Sequence, residues 1–237
     1  MIEYFQNGIQ SFKDAFYLNF IKEDRWRYIT DGVATTLKIT FFAVLLGIVL
    51  GFLVAIIRST YEKTHKLKFA NFLCKVYLTV IRGTPVVIQL MIIYFVIFQA
   101  VDIDKVFVAI IAFGINSGAY VAEIVRSGIM SIGNGQFEAG RSLGFNYLQT
   151  MRYIIMPQAF KNVLPALGNE FIVLLKETSV SGYIALQDLT KGGDIIRSRT
   201  YSPFMPLMAV AIIYLLMVCV FQFFVERLER RLQKNEH

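Results

Sequence analysis

Histidine and cysteine are nearly missing from this chain: there are two of each, His65 and His237, Cys74 and Cys219, scattered without ligand spacing. That scarcity argues against a disulfide framework and against a zinc site. It also removes the usual general base, because both histidines fall in polar segments away from the apolar runs. No HExxH or CxxC pattern occurs, so no metalloprotease helix is present. No GxxxxGK[ST] phosphate loop occurs either. If the protein works with ATP, the nucleotide and its magnesium belong to another chain, and this chain binds no cofactor of its own. Residues 1–30 lack an apolar core of the kind a cleavable leader needs, so the first true span is expected to serve as the insertion signal.

Charge is scarce as well. Only 17% of the 237 residues are Asp, Glu, Lys or Arg, 56% are hydrophobic, and the mean hydropathy is +0.54. These values belong to membrane proteins. Uncharged runs at 39–57, 83–101, 106–122 and 200–225 approach or exceed the length that crosses about 30 Å of hydrocarbon. A fifth stretch, 159–184, is as long but holds Glu170, Lys176 and Glu177. The expected fold is all-α, a polytopic integral membrane protein of about five spans: 33–57, 69–101, 106–127, 159–184 and 203–225. Together they form one domain, 31–226, between an extracytoplasmic segment 1–30 and a cytoplasmic tail 227–237.

The net charge of +7 does not point to nucleic acid, because the positive residues sit at membrane edges. Arg58, Lys63, Lys66 and Lys68 follow the first span; Arg126, Arg141, Arg152 and Lys161 surround the loop 131–157; Arg227, Arg230, Arg231 and Lys234 follow the last. The positive-inside rule makes these three segments cytoplasmic, with the N-terminus outside.

Local signals refine the spans. Phe12 to Phe20 reads as a weakly amphipathic interfacial helix, and Asp31-Gly32 as a break before the first span. Gly47 and Gly51 form a GxxxG on that span. Within the second, Arg82-Gly83-Thr84-Pro85 predicts a kink or restart, with Thr84 capping, Pro85 at the first helical position and Arg82 snorkelling to the inner interface. Asn116, Ser117 and Gly118 are small and polar enough to line a cavity or to pack closely, and Glu123 with Arg126 reads as a surface ion pair. After a polar outer loop, 186–201, Ser202-Pro203 marks the start of the fifth span.

The ionisable residues in the fourth span need an explanation, since each charge near mid-bilayer costs about 2.5–3.5 kcal/mol. Glu170 falls near mid-membrane from a cytoplasmic start at Pro157, and Lys176 nearer the outside. Either the two present opposite charges to a zwitterionic substrate, or they make ion pairs with neighbouring helices. Gln89, one turn after Pro85, either contacts substrate or holds two helices together.

The segment Glu138-Ala139-Gly140-Arg141-Ser142-Leu143-Gly144, followed after nine residues by Ile154-Ile155-Met156-Pro157, is polar where its flanks are apolar. Small residues at 139 and 140 permit close approach of another surface, and Gly144 suits either a left-handed position after a helix or further close contact. The spacing resembles the EAA motif of the membrane subunits of ATP-binding-cassette importers, with Gly140 in place of the usual alanine and Met156 in place of leucine. The resemblance extends over about 30–228 to the polar amino-acid branch, the histidine/glutamine/arginine-type permeases. It is carried by Thr36-Leu37-Lys38-Ile39-Thr40, Arg82-Gly83-Thr84-Pro85 with Gln89, Ala119-Tyr120 with Ala122-Glu123-Ile124, and Arg126 with Gly128-Ile129. Gly135-Gln136, Pro157-Gln158-Ala159 and Leu175-Lys176 with Thr178-Ser179 complete it. It implies a type I importer transmembrane fold in a bacterial cytoplasmic membrane. The implied partners are a second permease copy or paralogue, two ATPase subunits, an extracytoplasmic solute-binding protein and an amino-acid substrate. It further implies that residues 135–147 form the coupling helix, with Glu138, Ala139, Gly140, Gly144 and Pro157 as coupling residues. Glu170, Lys176, Gln89 and Asn116 would line the pathway. A channel or secondary transporter using Glu170 and Lys176 also accounts for the buried charges, but leaves the Glu138–Pro157 pattern without a role.

Overall fold

The computed structural model describes residues 2–233; Met1 and the tail residues 234–237, with Lys234 and His237, lie outside the described residues. Helix α1 (Ile2–Phe16) and a π-helical turn (Tyr17–Ile21) precede a kink where Glu23 and Asp24 take positive φ. Helix α2 then runs unbroken over Trp26–Thr64. Asp31-Gly32 is therefore inside a helix and does not break it. Gly32 lies under the backbone of residues 188 and 189, where a Cβ would sit 2.7 Å from the Asp188 carbonyl oxygen, so its missing side chain serves packing.

Helices α3 (Lys68–Gly83) and α4 (Val86–Ile92), the latter continued by a π-helical turn to Ile97, meet at a bend of 110°. The predicted kink falls where Arg82-Gly83-Thr84-Pro85 placed it. Its bonding differs: Thr84 does not cap α4, because its hydroxyl donates back to the Val80 carbonyl at 2.8 Å. Gln89 closes the corner instead. Its Nε2 donates to the carbonyl oxygens of Ile81 (2.8 Å) and Thr84 (3.0 Å) and to Thr84 Oγ1 (2.9 Å), meeting acceptors left open at the end of α3.

Helix α5 (Lys105–Met130), N-capped by Asp104, is the centre of the bundle. Of its most apolar stretch 67% is buried. Its closest neighbour is α2. Gly47 faces Ser117 and Gly118, and Gly51 faces Val121 and Ala122, so close that a Cβ on Gly51 would meet Val121 Cγ1 at 2.5 Å. The GxxxG is thus a seam. Between helices in lipid, where burial of apolar surface brings little gain, such van der Waals contact is what holds two spans together. A core of Ile39, Leu90, Ile93, Phe113, Leu174 and Ile184 ties α2, α4 and α5 to the later helices.

Two short helices, α6 (Asn134–Ser142) and α7 (Tyr147–Thr150), and a π-helical turn (Met151–Ile155) lead into α8 (Met156–Glu177). Pro157 is the second residue of α8 and follows directly on the π-helical turn, whose Met151 carbonyl accepts from the Met156 N–H. The stretch 159–184 is not one α-helix: α8 ends at Glu177 and residues Thr178–Ile184 tighten into a 3-10 segment.

The segment 186–201, expected as a polar loop, is likewise mostly helix, α9 (Leu189–Thr200), begun by the buried Asp188, whose carboxylate accepts from the N–H groups of Thr190 and Lys191. Asp188 follows the N-cap pattern. Helix α10 (Phe204–Gln233) starts directly after Ser202-Pro203 and buries only 11% of its most apolar stretch, leaving a broad apolar face outward.

Among the described residues, three helices are long and apolar enough to cross a membrane, α2, α5 and α10, or four if the bent pair counts as one span. Helix α8, with 22 residues, has the length but not the apolar composition.

Candidate functional site

A cavity of about 470 Å³ opens between α5 and α8, with Glu170 at one end and Ser131 at the other. Glu170 is 8% exposed, and its Oε1 accepts a hydrogen bond from the Ser117 hydroxyl at 2.8 Å. Among the described residues no cation pairs with it. A carboxylate so placed lacks most of its hydration and has one neutral donor in return, which leaves it able to bind a cationic group entering the cavity. Lys176 does not line this cavity; it is exposed and forms no ion pair among the described residues. Helix geometry turns it well away from Glu170, so the two do not form a pair within one subunit.

Asn116 and Gln89 meet: Asn116 Nδ2 donates to Gln89 Oε1 at 3.1 Å, and both are buried. Since the Gln89 amide also braces the bend, its hydrogen-bonding groups are fully engaged within the chain.

Between Glu170 and Ser131 the cavity wall holds a cluster with no local sequence signal. Glu123, read as the partner of Arg126 alone, faces three guanidinium groups. Arg126 Nε lies 3.2 Å from both carboxylate oxygens, and Arg58 and Arg82 each approach to 3.9 Å. Arg82, expected to snorkel to a membrane interface, lines the cavity, with its guanidinium 5.8 Å from the Tyr120 ring centroid. Residues so far apart in sequence carry no local signal of this meeting.

The second site is the polar connection between α5 and α8. It is two helices joined by a tight turn, not one helix over 135–147. Gly144 takes φ +79°, its N–H donates to the Arg141 carbonyl at 2.9 Å, and the Phe145 N–H donates to the Gly140 carbonyl at 3.0 Å. That pair of bonds is a Schellman termination, which needs a left-handed residue where glycine stands. Two residues on, Asn146 and Gln149 form a reciprocal capping box that starts α7. Gly140 faces inward: a Cβ there would lie 2.6 Å from Thr150 Cγ2, so its small size lets α6 lie on α7. Glu138 and Ala139 are exposed. So are two large apolar side chains, Leu143 at 70% and Leu148 at 76%, beside the charged Glu138 and Arg141. Apolar groups left bare beside a charged rim mark a surface made for a partner. A concavity of about 440 Å³ between Phe137, Glu138, Arg141, Phe145 and Tyr147 lies on the same segment. Among the described residues no three His, Cys, Asp or Glu side chains gather in a metal-binding arrangement.

The chain matches the family described as "Binding-protein-dependent transport system inner membrane component" over residues 43–234. It is 39% identical over 210 residues to a putative glutamine transport system permease protein GlnP of Rickettsia typhi, covering 88% of this chain and 94% of that one. It is 38% identical over 212 residues to the arginine transport system permease protein ArtQ of Bacillus subtilis, with 88% and 94% covered. To the glutamine transport system permease protein GlnP of Escherichia coli K12 it is 38% identical over 208 residues, with 86% and 93% covered. The fold superimposes on a crystal structure of an amino acid ABC transporter with histidines at TM-score 0.81 and 43% identity, covering 86% of this chain and 94% of that chain. It also superimposes on the MetNI methionine ABC transporter in an inward-facing form at TM-score 0.73 and 21% identity, with 89% and 99% covered, a likeness of fold alone. The chain thus belongs to the family of inner-membrane components of binding-protein-dependent transport systems, as the multi-pass permease subunit of an ATP-binding-cassette importer and not its ATPase.

Proposed function

We propose that this permease carries a polar amino acid across a bacterial cytoplasmic membrane, with residues 1–30 outside and 227–237 in the cytoplasm. The relatives named for glutamine and arginine support the substrate class. The clustering of Lys and Arg at 58–68, 126–161 and 227–234 supports the sidedness. Five crossings then follow, 33–57, 69–101, 106–127, 159–184 and 203–225, with α8 as the span whose polar face is turned to the pathway.

Glu170 receives the substrate's ammonium, Lys176 attracts the carboxylate from the outer side, and the Asn116–Gln89 pair forms the wall beside them. Two permeases, alike or paralogous, enclose the path. The segment 131–157 docks on the ATPase: Glu138 and Ala139 touch it, while Gly140, Gly144 and Pro157 fix the shape of the docking surface. Closure of the ATPase pair around ATP moves both α6 helices, and the bundle switches access from the binding protein's side to the cytoplasm.

The observation that carries this reading is the exposed α6–α7 unit, with Leu143 and Leu148 bare, on a chain that has no phosphate loop. Purification of the tagged permease from a strain expressing its neighbouring transport genes tests it. A P-loop ATPase is expected to come down with the wild type and to be lost with Leu143→Asp/Leu148→Asp. Equal recovery with both would refute the docking surface.

A further inference from the structure

Arg82 holds the Tyr120 ring and a long ion pair with Glu123, yet its guanidinium is still presented to the cavity. It ends α3 at the 110° bend, is 44% exposed, and lines the same cavity as Glu170. Its only carboxylate partner among the described residues is Glu123, at 3.9 Å, and the oxygens of Glu123 are held more closely by Arg126. Arg58 adds a third guanidinium, whose buried Nε has no hydrogen-bond partner. Arg82 and Glu123 line the cavity, while Arg126 and Arg58 approach the same carboxylate from outside its lining, with Glu62 close enough to act on Arg126, so Arg82 is the guanidinium presented to the cavity that holds Glu170.

Helix α5 sets the spacing of these two poles. Ser117 touches Glu170 and Glu123 touches Arg82, six residues later, about 9 Å along the axis. The ammonium and carboxylate on one α-carbon are too close together to meet both poles at once. They can meet them in turn.

We propose that Arg82 is a second, inner contact for the substrate, taking its α-carboxylate once the ammonium has left Glu170. The inference rests on the amino-acid pathway proposed above. A guanidinium suits the task because it grips a carboxylate with two parallel hydrogen bonds. The long Arg82–Glu123 pair can open without stranding Glu123, which keeps Arg126 and Arg58. Such a contact makes the inner half of the cavity a stage in release and favours substrates that carry a free carboxylate.

The test uses the complete importer in proteoliposomes, with its ATPase and binding protein, and whichever of radiolabelled glutamine or arginine the wild type takes up. Arg82→Gln is expected to lower the maximal uptake rate about tenfold or more, while the half-saturating substrate concentration and the assembled yield stay near wild type. Arg82→Lys falls between the two. The double variant Arg82→Gln/Glu123→Gln stays as slow as the single one, because the loss lies toward the substrate and not toward Glu123. Wild-type rates in Arg82→Gln, recovery in the double variant, or a loss of yield shared by Gln and Lys would overturn the inference. If the wild type itself shows no ATP-driven uptake, the functional reading fails instead.

Discussion

Ser117 of α5 donates its hydroxyl hydrogen to Glu170 of α8 across 2.8 Å in the interior of the bundle, and among the described residues no cation completes the pair. A buried acid of this kind is costly to keep, and a hydroxyl returns only part of the lost hydration. The two roles the sequence left open for Glu170, substrate contact and ion pairing with a neighbouring helix, predict different effects of removing its charge.

Glu170→Gln keeps the shape and the Ser117 contact but removes the charge. If Glu170 meets the substrate's ammonium, apparent affinity at the membrane site falls about ten- to a hundredfold, the value of one charge-assisted hydrogen bond of roughly 1.5–3 kcal/mol. Yield and binding-protein-stimulated ATPase activity stay near wild type. Lys176→Met, at an exposed position, is expected to keep its yield too and to slow substrate entry. Uptake, ATPase activity and extracted yield measured side by side check both. A drop in yield for Glu170→Gln with unchanged affinity would return the residue to a structural role.

The α2–α5 seam sets a second expectation. Gly51→Leu forces a side chain into Val121 and Ala122, where even a Cβ is too close, and overpacking of this kind costs about 1–3 kcal/mol or more. Extracted yield and thermal stability in detergent are expected to fall well below those of Val49→Leu, an exposed position on the same helix. Equal stability of the two would show that the seam tolerates separation.

Gly144 is held at φ +79°, where an alanine costs on the order of 1 kcal/mol. Gly144→Ala should therefore leave the membrane bundle intact but loosen the α6–α7 turn, lowering uptake per ATP hydrolysed more than it lowers yield. Glu138→Arg, at an exposed site, should lower the same ratio by reversing a contact charge. Transport coupled as in wild type for both variants would contradict the docking assignment.

Asp188 begins α9 from a fully buried position, and burial pushes its carboxyl above the usual value of 3.8 in spite of the N–H groups of Lys191 and Thr190. A raised folded-state value means that stability from this residue declines as pH rises from 3.8 through that value. Asp188→Asn keeps the acceptor and is expected to be nearly neutral, with less of that decline. Asp188→Ala loses the cap and about 1 kcal/mol. Melting curves of the three proteins across the acidic range decide it; an alanine variant as stable as the asparagine one would remove the capping role.

How much of this was legible in the sequence depends on the range over which each signal acts. The spans of α5 and α10 stood out as uncharged runs, and the bend between α3 and α4 was readable because Pro85 acts on its immediate neighbours. Gly144 announced its left-handed turn for the same reason. Asp31-Gly32 misled, since a glycine that breaks a helix and one that admits another backbone look alike, and the backbone it admits lies far along the chain. The inward turn of Gly140 depends on Thr150, and the arginines around Glu123 come from three helices. Glu170 was found from its cost in the membrane, but its partner Ser117 was not, because that hydrogen bond exists only once α5 and α8 pack. The capping pattern at Asp188 was local and was passed over because the segment is polar.

The central claim is that the segment 131–157 receives work from ATP on its own side of the membrane. Purified permease, ATPase and loaded binding protein in liposomes, with ATP supplied to one face only, test it most directly, while single cysteines at Ser131–Gln136 and at residues 9–28, in a background lacking Cys74 and Cys219, report which face is which. The account predicts uptake only when ATP is on the face where Ser131–Gln136 is labelled, with substrate and binding protein on the face of residues 9–28. Uptake sustained by an ion gradient without ATPase, or labelling of both segments from the same face, would contradict it.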